Sequence, residues 1–137
     1  MPLGSALRSL LINDADVAGI VVGRVYPQQA PQNSDLPCIV YMGVGDDTLY
    51  SADGETGMIT VLVQFDSYAE TYDAAITLDE KVRLVLSGYV GTVTGVVIRG
   101  ILKDATRDLT EETTDQREKP ITRISTDYSV TYDQTVP

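Results

Sequence analysis

Residues 58–88 read MITVLVQFDSYAETYDAAITLDEKVRLVLSG, and the spacing of apolar side chains changes within this stretch. Over residues 58–66 apolar side chains stand at every second position, as is typical of a β-strand with two distinct faces. Over residues 67–87 they recur every three or four positions, which predicts an amphipathic helix that Ser67 caps and Gly88 ends. A strand that leads directly into the longest helix predicts a sheet with a helix packed on it.

The N-terminal segment predicts a second helical unit. Its four leucines, at positions 3, 7, 10 and 11, lie on one face of a short amphipathic helix. Asp14 can cap a further turn or two, which Gly23 then ends. Residues 27–37 contain three prolines, so we expect a loop there.

Three more segments predict strands. Residues 38–44 are largely apolar at both alternating sets of positions, which indicates a strand that is covered on both faces or packed at a subunit contact. Residues 93–103 are rich in β-branched side chains and are interrupted by Gly95 and Gly100, which indicates a strand with a bend or a close backbone approach. Residues 121–133 alternate between apolar and polar side chains, so we expect one face of this strand to be solvated.

Two polar segments between these strands are expected to be flexible loops, at about residues 45–57 and 104–119. The first contains the turn dipeptide Asp53-Gly54, and the second holds six acidic and three basic residues. The whole pattern predicts an α+β fold: a single domain over residues 1–137, with a mostly antiparallel sheet of about four strands and two helices packed on one face.

Composition restricts the function classes. The chain has 137 residues, a normal size for one domain with its own core. Its 20 acidic and 10 basic residues give a net charge of −10, which disfavours tight binding to nucleic acid or anionic lipid. No apolar run is long enough to span a membrane, and the N-terminus does not read as a secretion signal.

Catalysis and metal binding have little support in the sequence. There is no histidine, and Cys38 is the only cysteine, so we expect no disulfide and no transition-metal cofactor and interpret Cys38 as a small buried apolar residue. No phosphate-binding glycine loop and no nucleophile elbow is present. Hydrolysis by carboxylates alone stays open as an alternative.

Several short segments resemble a known family. Residues 23–27 (GRVYP), 31–32 (PQ) and 36–41 (LPCIVY) resemble the opening of the phage tail completion, or tail terminator, family. The strand over residues 60–66 that leads into a helix, and the closing strand over residues 127–132, fit the general plan of that family. The resemblance spans most of the chain.

This resemblance implies a structural virion protein that is not an enzyme and carries no cofactor. Such proteins assemble as rings, usually hexamers, at the head-proximal end of a long non-contractile tail, where they end tube growth and join the tail to the head or neck. The implied partners are other copies of the chain, the tail-tube protein, a neck or head-closure protein, and DNA that passes through the lumen without specific binding. The implied location is the junction of tail and neck, after assembly in the host cytoplasm and without a membrane.

Two alternatives within the same particle share small α+β or β-rich folds. The chain could be another neck component, such as a head-closure or connector protein, or a tail-tube subunit. If the protein is not part of a phage particle, the remaining alternative is a small carboxylate-dependent hydrolase.

Three sets of residues are candidate contact sites in such a ring. The acidic loop is expected to face the lumen or a partner, or to be simply solvated, since its spacing does not fit a calcium loop. A charged arm is expected to become ordered on a neighbouring subunit, or to be a solvated loop. An apolar strand is expected to lie at the heterologous interface that a closed ring requires. The acidic loop carries Asp46, Asp47, Asp53 and Glu55. The charged arm carries Arg107, Asp108, Glu111 and Glu112. The apolar strand carries Ile39 and Tyr41.

Overall fold

A computed structural model of the chain describes residues 2–30, 35–43, 49–50, 58–108 and 121–133. These residues form three helices and seven strands. The helices are α1 (Pro2–Ile12), α2 (Ala15–Val21) and α3 (Tyr72–Leu86). The strands are β1 (Val25–Pro27), β2 (Cys38–Gly43), β3 (Leu49–Tyr50), β4 (Met58–Ala69), β5 (Gly91–Val93), β6 (Val96–Asp108) and β7 (Thr122–Asp133).

All the strands belong to one mixed sheet in the order β1-β2-β4-β7-β6-β5, with β3 also paired to β4. β1 and β2 run parallel, and every other pair is antiparallel. The prediction of four strands and two helices is therefore wrong, although the α+β class holds in broad terms. The three strands that were not among the predicted four, β1, β3 and β5, have two or three residues each, which is too short to show a period of two.

The segment interpreted as one bent strand is a hairpin. Val93 at the end of β5 pairs with Val96 at the start of β6, and the two residues between them both have positive φ, 46° at Thr94 and 84° at Gly95. This geometry is that of a type I′ turn, which matches the right-handed twist of the two strands. Threonine is uncommon in this conformation because its branched Cβ crowds the backbone, so the sequence lacked the usual Asn-Gly signal.

Replacing Thr94 with asparagine is expected to raise the free energy of unfolding by about 0.5–1 kcal/mol, because asparagine tolerates positive φ better than a β-branched residue. Gly95→Ala should lower the free energy of unfolding, because the Cβ of alanine makes a positive φ unfavourable. Gly100→Ala is the matched control, because a Cβ at Gly100 would meet no atom within 4 Å and its φ is not positive. Urea unfolding measures all three, and a destabilised Thr94→Asn variant would contradict the turn assignment.

The predicted cap at Asp14 is confirmed: Asp14 accepts the Val17 N–H at 3.1 Å and begins α2, so the N-terminal unit consists of two helices. Two other predicted boundaries need correction. Ser67 is not a helix cap: β4 continues to Ala69, and the cap of α3 is Thr71, which accepts the Ala74 N–H at 3.1 Å. β6 continues through residues 104–108, so the loop predicted from 104 onward cannot begin there.

The core lies between the helices and one face of the sheet. α3 packs on β4, β7 and β6, while α1 contacts β1, β5 and β6 and so lies beneath both ends of the sheet. At the centre, the ring of Phe65 stacks on Tyr41 at 5.9 Å and meets Tyr128 edge-on at 5.6 Å. In β4 and β7, the residues that alternate with the core-facing ones point away from the helices. We call this side of the sheet, which carries Asp66, Arg123 and Asp127, the helix-free face.

Candidate assembly surfaces

The helix-free face carries a buried ion pair between its two central strands. Arg123 of β7 donates through Nε and Nη2 to Asp66 Oδ2 of β4, at 3.0 and 2.8 Å. Gln64 donates to the other carboxylate oxygen at 2.9 Å. Asp66 is fully buried, while the side chain of Arg123 is 23% exposed. Because both carboxylate oxygens have partners, this pair holds the register of β4 on β7 instead of offering a free charge.

Two further arginine–aspartate pairs join β6 to β7 on the same face. Arg107 binds Asp127 through two hydrogen bonds of 2.9 Å. Arg99 binds Asp133 at 3.1 and 2.8 Å, and these hydrogen bonds hold the pKa of Asp133 below its usual value. Planar, two-point pairs fix both side chains in place. The result is a polar surface on which positive charge is already neutralised, and this leaves these three arginines poorly suited to bind phosphate.

The structure separates the residues of the predicted charged arm. Arg107 lies in β6 and is ion-paired within the subunit, and Asp108 is the last residue of that strand. Arg107 lies in the sheet because its main chain pairs with Ser125 of β7. The prediction of an arm was based on the charges of this segment and did not include such pairing. The other two arm residues, Glu111 and Glu112, lie outside the described residues, as do Asp46, Asp47, Asp53 and Glu55 of the acidic loop.

The predicted interface strand lies inside the sheet, as β2 between β1 and β4. Ile39 is fully buried in the core of its own subunit and offers no surface to a partner. Tyr41 is half-buried, and one side of it lines an open cleft. Of the two residues, only Tyr41 is therefore placed where a partner can touch it.

This cleft has a volume of about 650 Å³ and lies between the start of α1, the ends of β1 and β2, and the middle of β4. None of the described residues that line it is charged, so the described part of the cleft suits an apolar occupant. Its apolar walls come mainly from Leu3, Leu7, Tyr41, Met42, Val61 and Leu62.

A second surface lies at the other edge of the sheet. β5 covers β6 only from Val96 to Ile98, and the Gly88 N–H then donates to the Ile101 carbonyl at 2.7 Å. Over residues 102–107 no described residue pairs with the outer edge of β6. Leu102 on this edge and Val90 just before β5 are both 68% exposed. An unpaired edge with exposed apolar side chains is a typical protein contact surface.

Burial shifts the pKa values of the titratable side chains Cys38 and Asp79. Burial raises the pKa of the Cys38 thiol to about 11, so the thiol stays protonated at neutral pH, and the prediction of a buried apolar cysteine is confirmed. Asp79 of α3 is buried under the sheet, where it accepts the Thr126 hydroxyl at 2.7 Å. In the part of the chain that the structure describes, no three potential metal ligands lie together.

Replacing Asp79 with asparagine is expected to raise the free energy of unfolding at pH 7 and to change it little near pH 3. Burial raises the pKa of Asp79 above 3.8, and the hydrogen bond from Thr126 and the charges of Lys103 and Arg83 only partly offset this rise. Ionisation therefore costs more in the folded than in the unfolded chain, and this penalty is absent below pH 3.8 and grows as the pH rises through the folded pKa. Asparagine retains the acceptor for Thr126. Urea unfolding at both pH values measures the effect, and an equal difference at pH 3 and pH 7 would contradict it.

Sequence reasoning missed the three ion pairs, the cleft and the unpaired edge. Arg123 and Asp66 are 57 positions apart, so only the register of β4 on β7 shows that they meet. One indication of these ion pairs was available in the sequence: Arg123 and Asp127 were predicted to lie on the same face of the last strand. None of the helices in the described ranges has the length and apolar character needed to span a membrane.

Comparisons with known proteins agree with one another. The profile of the family described as tail completion protein gp17 matches residues 5–133. A chain from a solved structure of the virion of a native gene transfer agent (GTA) particle has the same fold, with a TM-score of 0.73 and 15% identity over 97% of this chain and 96% of that one. No curated protein matches significantly. Because the family profile covers nearly the whole chain, from α1 to β7, the protein belongs to the tail completion protein gp17 family of structural phage tail proteins.

Proposed function

We propose that this protein assembles into a ring, of six copies, at the head-proximal end of a long non-contractile tail. There it ends the growth of the tube and joins the tail to the head or neck. The observation that carries this proposal is the family match over residues 5–133. The similar fold of a chain in a gene transfer agent virion supports a role within a particle.

The surfaces of the subunit are compatible with a ring. A closed ring needs a heterologous contact, in which one patch meets a different patch on the next copy. The subunit has two dissimilar surfaces of this kind, an apolar cleft beside β1, β2 and β4 and an exposed edge at β6. The partners beyond other copies are the tail-tube protein on one side and a neck or head-closure protein on the other.

DNA would pass through the lumen of this ring without being bound specifically. The net charge of −10 repels phosphate, and Arg99, Arg107 and Arg123 are already paired with aspartates. By their charge alone, the acids of the predicted loop at 45–57 are candidates to line the channel. Neutralising all four of them should slow DNA ejection, and unchanged ejection would count against this part of the proposal.

The test is removal of the protein from an assembling particle. Without it, we expect tubes of irregular excess length that do not join heads. An absence of tubes would instead indicate a tail-tube subunit. Tails of normal length next to heads that leak DNA would indicate a head-closure protein. Either of these results would overturn the proposal.

A further inference from the structure

We infer that the contact between neighbouring copies is formed when the apolar cleft of one subunit receives the β6 edge of the next. We define the edge patch as Val90, Leu102 and Asp104. This inference rests on the proposed ring and specifies which surfaces of the subunit form its repeating contact.

The two surfaces lie at opposite edges of the sheet. The cleft is bounded by β1, β2 and β4, whereas the edge patch belongs to β6 and to the residues just before β5. Three strand spacings separate β2 from β6, which is about 14 Å along a sheet. A subunit cannot place its own edge patch in its own cleft across this distance, so the two surfaces meet only between copies, and their pairing repeats head to tail.

The apolar character of the two surfaces matches. Leu102 and Val90 are each 68% exposed, among the most exposed large apolar side chains of the described residues. The cleft has room for several side chains in its volume of about 650 Å³, and the described residues that line it carry no charge. The outer edge of β6 beyond Leu102 also has main-chain groups that pair with no described residue, and a neighbouring chain could add to such an edge.

The charges next to the two surfaces are complementary. Arg8 lies on α1 beside the cleft: its Nε donates to the Val25 carbonyl at 3.0 Å, and its charge opposes the rise in the pKa of the cleft residue Tyr41. It makes no ion pair with a described carboxylate. Asp104 is exposed and lies two residues beyond Leu102, and its charge adds to the rise in the pKa of Arg107 without forming an ion pair with a described residue. Insertion of the edge patch therefore brings the exposed carboxylate of Asp104 toward the guanidinium of Arg8.

Cross-linking tests this arrangement and its direction. Cysteines are placed at Ser5, an exposed residue of the cleft rim, and at Leu102, while the native Cys38 is buried and therefore inaccessible to the reagent. With a short bis-maleimide, a chain carrying both Ser5→Cys and Leu102→Cys should give a ladder that ends at the size of the closed ring. A mixture of the two single variants should give cross-linked dimers and nothing larger, because each subunit then carries one introduced cysteine and can be linked to one neighbour.

The control pair is Leu84→Cys with Leu102→Cys, since Leu84 is 65% exposed but lies on α3, away from the cleft. No ladder is expected from it. Cross-linking of Ser5→Cys to itself would show an isologous contact and overturn the inference. The inference would also be overturned if the wild-type protein forms a ring but the variant with both Ser5→Cys and Leu102→Cys gives no ladder. Such a result leaves the ring proposal intact, whereas wild-type protein that stays monomeric even with tail tubes overturns both.

A disruptive substitution gives an independent readout. Leu102→Asp is expected to weaken assembly at least 100-fold, measured as the concentration at which rings form in analytical ultracentrifugation. Leu84→Asp, at a residue of similar exposure, should leave this concentration unchanged. Both sites are on the surface, and circular dichroism verifies that both variants fold. Equal effects of the two substitutions would overturn the inference, because the edge patch would then have no special role.

Discussion

Replacing Arg123 with methionine is expected to lower the free energy of unfolding by about 3–5 kcal/mol. The fully buried carboxylate of Asp66 would lose both hydrogen bonds that Arg123 donates to it, and among the described side chains it would retain the amide of Gln64 as a donor. A buried charge without its partner costs far more than the intact pair contributes. Denaturant unfolding at pH 7 measures the loss.

Two controls separate this mechanism from a general effect of removing an arginine. The double variant Arg123→Met with Asp66→Leu should recover most of the lost stability, because it removes the stranded charge as well. Arg99→Met breaks the exposed pair with Asp133 and should cost less than about 1 kcal/mol. If Arg123→Met were no worse than Arg99→Met, the assignment of a buried, structurally important pair would be wrong.

Replacing Phe65 with alanine is expected to cost about 3–5 kcal/mol. The ring is almost fully buried and contacts both Tyr41 and Tyr128, so its removal leaves a cavity between β2, β4 and β7. Tyr41 also lines the cleft, so the variant should lose assembly together with stability. Phe65→Leu is the matched control and should cost clearly less, since it refills most of the cavity. Unfolding monitored by tyrosine fluorescence provides the measurement, and a loss below 1 kcal/mol for Phe65→Ala would contradict this packing.

β4, β7 and α3 could be predicted because each repeats its pattern several times, whereas β6, with 13 residues, was predicted only as far as residue 103. β4 and β7 have 12 residues each and α3 has 15, which is enough for a period of 2 or 3.6 to show. The three short strands could not be predicted, since their existence depends on neighbouring strands to pair with. The hairpin at Thr94 was missed because a β-branched residue in its turn contradicts the usual sequence rule.

The candidate site was less predictable than the fold. Residues 38–44 were apolar at both alternating sets of positions, and burial of Ile39 and Val40 within the subunit explains this pattern for β2 without a partner. The charge of Arg107 suggested a solvated arm, but the main-chain pairing of β6 with β7 places it in the sheet beside Asp127. The cleft and the ion pairs join residues that are distant in the sequence, so they depend on strand order and register.

Cryo-electron microscopy of an intact particle that contains this protein tests the central claim most directly. The account predicts a ring of copies at the head-proximal end of the tail, with the cleft of each copy occupied by the β6 edge of the next. Density for the chain at the distal tip of the tail, along the length of the tube, or as an isolated subunit would contradict it.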